Sequence, residues 1–324
     1  MTASADRLID VHAHFVTDDY VAAARAAGIE HPDGMPGWPQ WDLAAQIEDM
    51  DRRGIEHAVL SVSSPGVHFG DDASAAALAR AVNDAAAAFV AEHPHRLSFF
   101  ASLPLPDVDA ARVEARRALA LPGARGVILE SNARGQYLGD QALEPLWAEL
   151  EAAGAIMFVH PTSPVGADGT DLGRPRPMLE FMADSTRSIV DLVLAGALDR
   201  HPGLRVIVPH SGASLALLSD RVALFQDGFG LGGTPFADAL RGLWFDLAGT
   251  PFPHAAPLLV DVAGSHHVLY GSDSCWTPAP AVDAQIESID RAEPPLGATS
   301  WRRLTTRNAE TLLGEVGARE LRPR

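Results

Sequence analysis

The sequence predicts an α/β fold, a (β/α)8 TIM barrel, and three observations carry that expectation. Eight short apolar or β-branched runs alternate with amphipathic helical stretches, a pattern that implies a parallel sheet sheathed by helices. The number of units favours closing the sheet on itself over leaving it open. The glycine-rich fingerprint of an open dinucleotide-binding sheet is missing after the first run, where the chain reads HAHFVTDDY.

The first strand, 8–14, reads LIDVHAH. Side chains at i and i+2 of a strand share a face, so His12 and His14 emerge side by side, which wastes core packing unless something binds both. A long segment, AAGIEHPDGMPGWPQW, leads to the helical WDLAAQIEDMDRRG, which stops at Gly54. The second strand, 58–63, is followed by SSPGVHFGDD and by DASAAALARAVNDAAAAFVAEHP, a helix that must end before Pro94. Strands at 97–103 and 126–130 precede LEPLWAELEAAG, which stops at Gly154. The fifth strand, 155–160, runs into PTSPVGADGTDLGRPRPMLE and then STRSIVDLVLAGALDRHPG, a helix ending before Pro202. The last strands are 205–210, 243–247 and 268–273. Both long insertions, after strands one and five, leave the C-terminal ends of strands, where barrels of this kind build their active sites. Their Pro and Gly content predicts ordered, turn-rich lids. No linker or composition shift divides the chain, so a single barrel domain over 1–324 is expected.

Composition narrows the partners. A formal charge of −17 argues against binding a phosphate backbone, so no nucleic acid is expected. The one cysteine, Cys275, cannot form an internal disulfide, and MTASADRL lacks the basic start and apolar core of a secretory signal; a reducing cytoplasm is the expected location. No apolar run approaches the roughly 20 residues of a membrane-spanning helix, and no membrane association is expected. The chain contains no lysine. Schiff-base catalysis and a covalent pyridoxal group are thereby excluded, as is a metal pair bridged by a modified lysine, and no organic cofactor is expected.

Polar residues end several apolar strands in a way that core packing does not explain: His12 and His14, His160 in IMFVHPT, His210 in VIVPHSG and Asp273 in VLYGSDS. In a closed barrel the C-terminal ends of strands one, five, six and eight surround one mouth. Three imidazoles and a carboxylate suit one divalent ion, zinc above all, with manganese or iron also accepted. A catalytic site must keep a position open, so His12, His14, His160 and Asp273 are assigned as ligands and His210 as a nearby acid or base, with Asp273 sharing the catalytic role. Trp38, Trp41 and Trp276 are candidates for an apolar substrate wall, and His68 faces the mouth. His31, His57, His93, His95, His201, His254, His266 and His267 are placed in helices or loops without a functional role. Cys275 is read as a small buried hydrophobe.

In order, DVHAHF, FVHPTSP, VPHSGAS and LYGSDS resemble the amidohydrolase-related, metal-dependent decarboxylases typified by aminocarboxymuconate semialdehyde decarboxylase, over almost the whole chain. GWPQW, LSVSSPGV, FFASLPLPD, YLGDQALEPLWAEL and WFDLAGTPF bring it nearer the 6-methylsalicylate decarboxylase branch. The resemblance implies a distorted barrel, one metal held by His12, His14, His160 and Asp273, His210 beside the open position, and a homodimer. Members acting on dicarboxylates use further arginines from the first long loop and from the helix after strand six. Here GMPGWPQW has no basic residue and LLSDRVALFQDGF keeps only Arg221, which fits a substrate with one carboxylate on an otherwise apolar ring.

The expected activity is non-oxidative decarboxylation of a small aromatic hydroxy acid, 6-methylsalicylate or a related ortho-hydroxybenzoate, by a carbon-carbon lyase. Either Asp273 or His210 would protonate the ring carbon. The alternative is hydrolysis of a lactone or amide by metal-activated water. A metal-stabilised barrel that binds a ligand without turning it over is a third reading.

Overall fold

The computed structural model describes residues 7–320. Its centre is eight parallel strands, hydrogen-bonded in chain order: β1 (Leu8–His14), β2 (Ile55–Ser61), β3 (Leu97–Ser102), β4 (Ala124–Glu130), β5 (Ile156–His160), β6 (Arg205–Val208), β7 (Trp244–Asp246) and β8 (Val268–Leu269). The ring closes through bridges from Asp10 to Tyr270 and from Ala13 to Ser274. At that seam the buried Asp10 carboxylate accepts from the backbone N–H of both His12 and Ser272, each at 3.0 Å. The predicted barrel is present, with its last strands shorter than the apolar pattern suggests.

Strand alternation produces two apolar layers. Ile9, Val11, Val59, Phe100, Ile128, Phe158 and Ile207 fill the interior together with Ala309, Leu312 and Leu313 of the helix Trp301–Glu320. That helix closes the N-terminal end: Asn308 Nδ2 donates to Val268 O (2.8 Å) and Thr306 Oγ1 to Arg7 O (2.7 Å). Leu8, Leu60, Phe99, Met157 and Val206 belong to the layer between sheet and helices. Asp42, Asp71 and Asp107 cap the helices Leu43–Arg53, Asp72–Glu92 and Val108–Ala118, each carboxylate accepting from a first-turn N–H that has no partner inside the helix.

Two expectations are corrected. β2 starts at Ile55, three residues early, and carries His57 in the strand rather than in a loop. Its ring lies 2.7 Å from Ser98 Oγ, and burial pulls its pKa down to about 4, so it is a neutral structural imidazole. A two-stranded hairpin, Asn132–Ala133 with Gln136–Tyr137, also follows β4 without a sequence signal. Among the described residues no helix is long and apolar enough to cross a membrane.

Candidate metal centre

The C-terminal ends of β1 and β5 and the segment after β8 bring His12, His14, His160 and Asp273 together, with one ligating atom from each lying within 4.8 Å of the others. All three imidazoles are oriented from behind. His12 Nδ1 pairs with Asp246 Oδ2 at 2.8 Å, His14 Nδ1 with Ser61 Oγ at 3.1 Å, and His160 Nδ1 with Pro161 O at 2.8 Å. Each Nε2 is thereby turned toward the cluster, with Ser63 Oγ standing 3.3 Å from that of His160. His12 Nε2 and His14 Nε2 are 2.9 Å apart, and Asp273 Oδ1 lies 3.5 and 3.3 Å from them. Donors around one tetrahedral zinc-like ion stand about 3.4 Å from each other, so this spacing fits a single divalent cation.

The electrostatics point the same way. Burial pulls His12 toward neutrality, but Asp246 and Asp273 outweigh it and hold the imidazole up at about 10. Burial pulls His14 down and, with the neighbouring His14 and His12, holds His160 well below the ordinary imidazole value. Burial would raise Asp273 and Asp246; the charged His12 beside both outweighs it and holds them low, Asp273 well below the carboxylate range. Without a cation the cluster therefore keeps two carboxylates and one shared proton, on His12. A divalent ion held by these residues would replace that proton and balance both acids.

His210 stands at the rim, its Nε2 3.3 Å from Asp273 Oδ2 and its backbone N–H donating to Asp246 Oδ1 at 3.0 Å. Asp246 thus holds the His12 ring and the main chain of the rim histidine. It has the same signature as Asp273, an acid closing an apolar strand (WFDLAG), yet sequence reasoning passed over it. His210, Ser211 and Asp273 adopt left-handed backbone, φ 55°, 55° and 56°, a strain that persists only where surrounding structure enforces it.

Above the cluster opens a cavity of about 500 Å³, lined on its apolar side by Met35, Phe181, Met182 and Trp276. No arginine is among its described lining residues. Trp276 lines this cavity; Trp38 packs against it at a tilt, ring centroids 5.8 Å apart, with its Nε1 donating to Ile29 O. Trp41 packs on Phe15 and Phe89. His68 pairs with Asp72 at 2.7 Å and lines a neighbouring cavity. Arg221 is exposed, its guanidinium 5.1 Å from the Phe225 ring.

A closed parallel barrel with a histidine–aspartate cluster at its C-terminal mouth defines a class, and residues 9–314 match the amidohydrolase family: the chain belongs to it. The 6-methylsalicylic acid decarboxylase of Penicillium expansum is 35% identical over 285 residues, covering 85% of this chain and 86% of that protein. The 2-amino-3-carboxymuconate-6-semialdehyde decarboxylase of Dictyostelium discoideum is 31% identical over 286 residues, covering 85% and 77%. A solved amidohydrolase structure superposes with a TM-score of 0.88 at 32% identity, covering 94% of this chain and 99% of that one.

Proposed function

We propose that the protein is a carbon-carbon lyase, a metal-dependent decarboxylase that removes carbon dioxide without oxidation from a small aromatic hydroxy acid, 6-methylsalicylate or a related ortho-hydroxybenzoate. One observation carries the choice: His160 and Asp273 of the cluster line a cavity that has an apolar side of Met35, Phe181, Met182 and Trp276 and no arginine among its described lining residues. Such a site takes a ring with a single carboxylate directed at the cluster. The resemblance to a 6-methylsalicylic acid decarboxylase over most of both chains supports the same substrate class.

His12, His14, His160 and Asp273 are the proposed ligands of one zinc ion, manganese and iron being compatible with the same donors. When bound, the cation supplies Lewis acidity toward oxygen atoms of the substrate. The side chains do the rest. Phe181, Met182 and Trp276 hold the ring and exclude water, which disfavours the charged carboxylate relative to neutral carbon dioxide. His210 and Asp273, in contact at 3.3 Å, hold the proton that goes to the ring carbon bearing the carboxylate. Protonation gives a non-aromatic, ketone-like ring; the bond to the carboxylate carbon then breaks, its electron pair returns to the ring, and carbon dioxide leaves.

The single barrel domain is proposed to work as a homodimer. An exposed stripe on the helix Leu215–Phe229, made by Leu217, Leu224, Phe225 and Phe229, is the kind of apolar patch that marks association. The lone Cys275 is compatible with a cytoplasmic location. The test incubates metal-loaded protein with 6-methylsalicylate and a panel of hydroxybenzoates and follows carbon dioxide and the phenol. Ring-opened acid from a lactone panel, with no gas released from any benzoate, would replace this reading with hydrolysis.

A further inference from the structure

Beside the metal cavity, on the same face of the barrel, lies a second cavity of about 520 Å³. The first long loop, the loop after β2, the ends of β3 and β4 and the hairpin after β4 frame it. Asp33 alone among the described residues faces both cavities. The partition between them is polar and hydrogen-bonded: Ser64 Oγ meets Thr162 Oγ1 at 2.7 Å, and Ser163 Oγ donates to Asp33 Oδ1.

Most of this second cavity is greasy, with Val67, Leu103, Leu105, Leu138 and Leu143 on its walls. Two buried oxygens of residues on the same walls have no hydrogen-bond partner, Glu130 Oε2 and Gln136 Oε1. Unpaired buried oxygens are few in folded chains because each has given up water for nothing. Glu130 is packed against Gly66, where even a β-carbon would come within 3.1 Å of its Cγ. The formal charges around the cavity balance, with Glu30 and Asp33 set against Arg134 and Arg176, because burial raises the Glu130 carboxyl well above its ordinary range and favours its neutral form. A neutral molecule with an apolar ring and a hydroxyl donor fits this environment: Gln136 Oε1 can only accept, and the burial that raises the Glu130 carboxyl well above its ordinary range disfavours a second carboxylate beside it.

We propose that this second cavity is a binding site for a neutral phenol, whose single hydroxyl hydrogen is donated to the oxygen left unpaired on Gln136, beside the Glu130 carboxyl. Decarboxylating a hydroxybenzoate yields a phenol, so the occupant is the product; that identification rests on the proposed activity, whereas the chemistry of the cavity does not. Glu130 Oε2 lies 3.7 Å from His160 Nδ1, so an occupant would sit one residue away from the metal centre.

The test titrates m-cresol calorimetrically into the full chain and three variants. Ala133→Trp fills the second cavity, Gln136→Leu removes one orphaned acceptor while leaving room, and Ala255→Trp fills the metal cavity. Saturable binding that survives Ala255→Trp and weakens at least tenfold in Gln136→Leu and Ala133→Trp is the expected result. Toluene, lacking the donor, should bind at least tenfold more weakly, and so should 6-methylsalicylate in Ala255→Trp. The inference is overturned if m-cresol does not saturate, if only Ala255→Trp abolishes binding, if Gln136→Leu has no effect, or if toluene or the acid binds as well as the phenol. Gas release from 6-methylsalicylate is measured separately on the unmodified protein, so failure of the phenol site and failure of the decarboxylase reading give different results.

Discussion

Burial would leave His12 neutral, yet its two acidic neighbours keep a proton on it up to a pKa of about 10. Metal uptake must displace that proton, so apparent affinity should rise with pH, close to tenfold per unit, until pH nears 10. Calorimetry in buffers of different ionisation enthalpy should show one proton released near pH 8. The linkage to stability has a definite sign: the folded pKa is raised above the ordinary 6.5, so the contribution to metal-free stability is complete below 6.5 and is lost as pH climbs through 10. The gap in Tm between metal-loaded and chelator-treated protein should therefore widen from pH 7 to pH 10; a constant gap would refute the shared-proton picture. Substitutions separate the roles. His160→Ala should lose metal and activity together, while His210→Ala should keep the metal and lower kcat about 10²- to 10⁴-fold, both read by metal analysis alongside turnover. Asp246→Asn, which loses the charge behind His12, should weaken metal binding about 10- to 100-fold. The four proposed ligands were legible because an imidazole or acid at the end of an apolar strand interrupts its pattern. Asp246 carries the same mark but sits one residue before an apolar Leu247, so its strand seems to continue, and its task, holding another residue's ring, has no spacing of its own.

At the scale of elements, Gly271 shows why β8 is so brief. A β-carbon there would fall 2.7 Å from His12 Cβ and 2.9 Å from Asp246 Cγ, closer than nonbonded carbons come. The chain must pass between a ligand and the acid that orients it, and only a glycine leaves the room. Gly271→Ala should displace His12 from Asp246 and reduce metal content, with a cooperative unfolding transition retained; full metal occupancy at unchanged affinity would show that the seam tolerates the extra carbon. The same crowding explains which elements could be read from sequence. β1, β3 and β5, each buried along its whole length, appear within a residue of their predicted ends. β6 and β8 stop early, the first before Pro209, which has no N–H to give, and both ahead of left-handed residues that turn His210 and Asp273 toward the mouth. An apolar pattern reports burial, and these segments are buried without continuing a regular ladder, the stretch after β8 meeting β1 only through isolated bridges. The opposite error hid the start of β2, where Glu56 and His57 look like loop residues although His57 is enclosed. Two-residue strands such as those of the hairpin after β4 are too short to show any period.

For the whole molecule, the barrel follows from counting alternating units, whereas a surface for a second copy does not. On the helix Leu215–Phe229 a leucine at 217 or 224 has the same look as a core residue, and only the fold reveals that the two are 73% and 67% exposed. Phe225 and Phe229 stack one turn apart, centroids 5.8 Å, on that same outward stripe. A chain with a formal charge of −17 repels its copies at long range, so in the proposed dimer an apolar face of this kind would have to supply the attraction. Raising ionic strength screens the repulsion and leaves apolar contact intact; dimer affinity should therefore increase with salt, the reverse of an interface built on ion pairs. The double change Leu224→Glu with Phe229→Glu adds charge at the centre of the stripe and should reduce the mass in sedimentation from that of a pair to a single 34.3 kDa chain, with the circular dichroism spectrum and metal content unchanged because neither side chain faces the barrel. A dimer that survives both glutamates, or one that loosens as salt is added, would assign the pairing surface elsewhere.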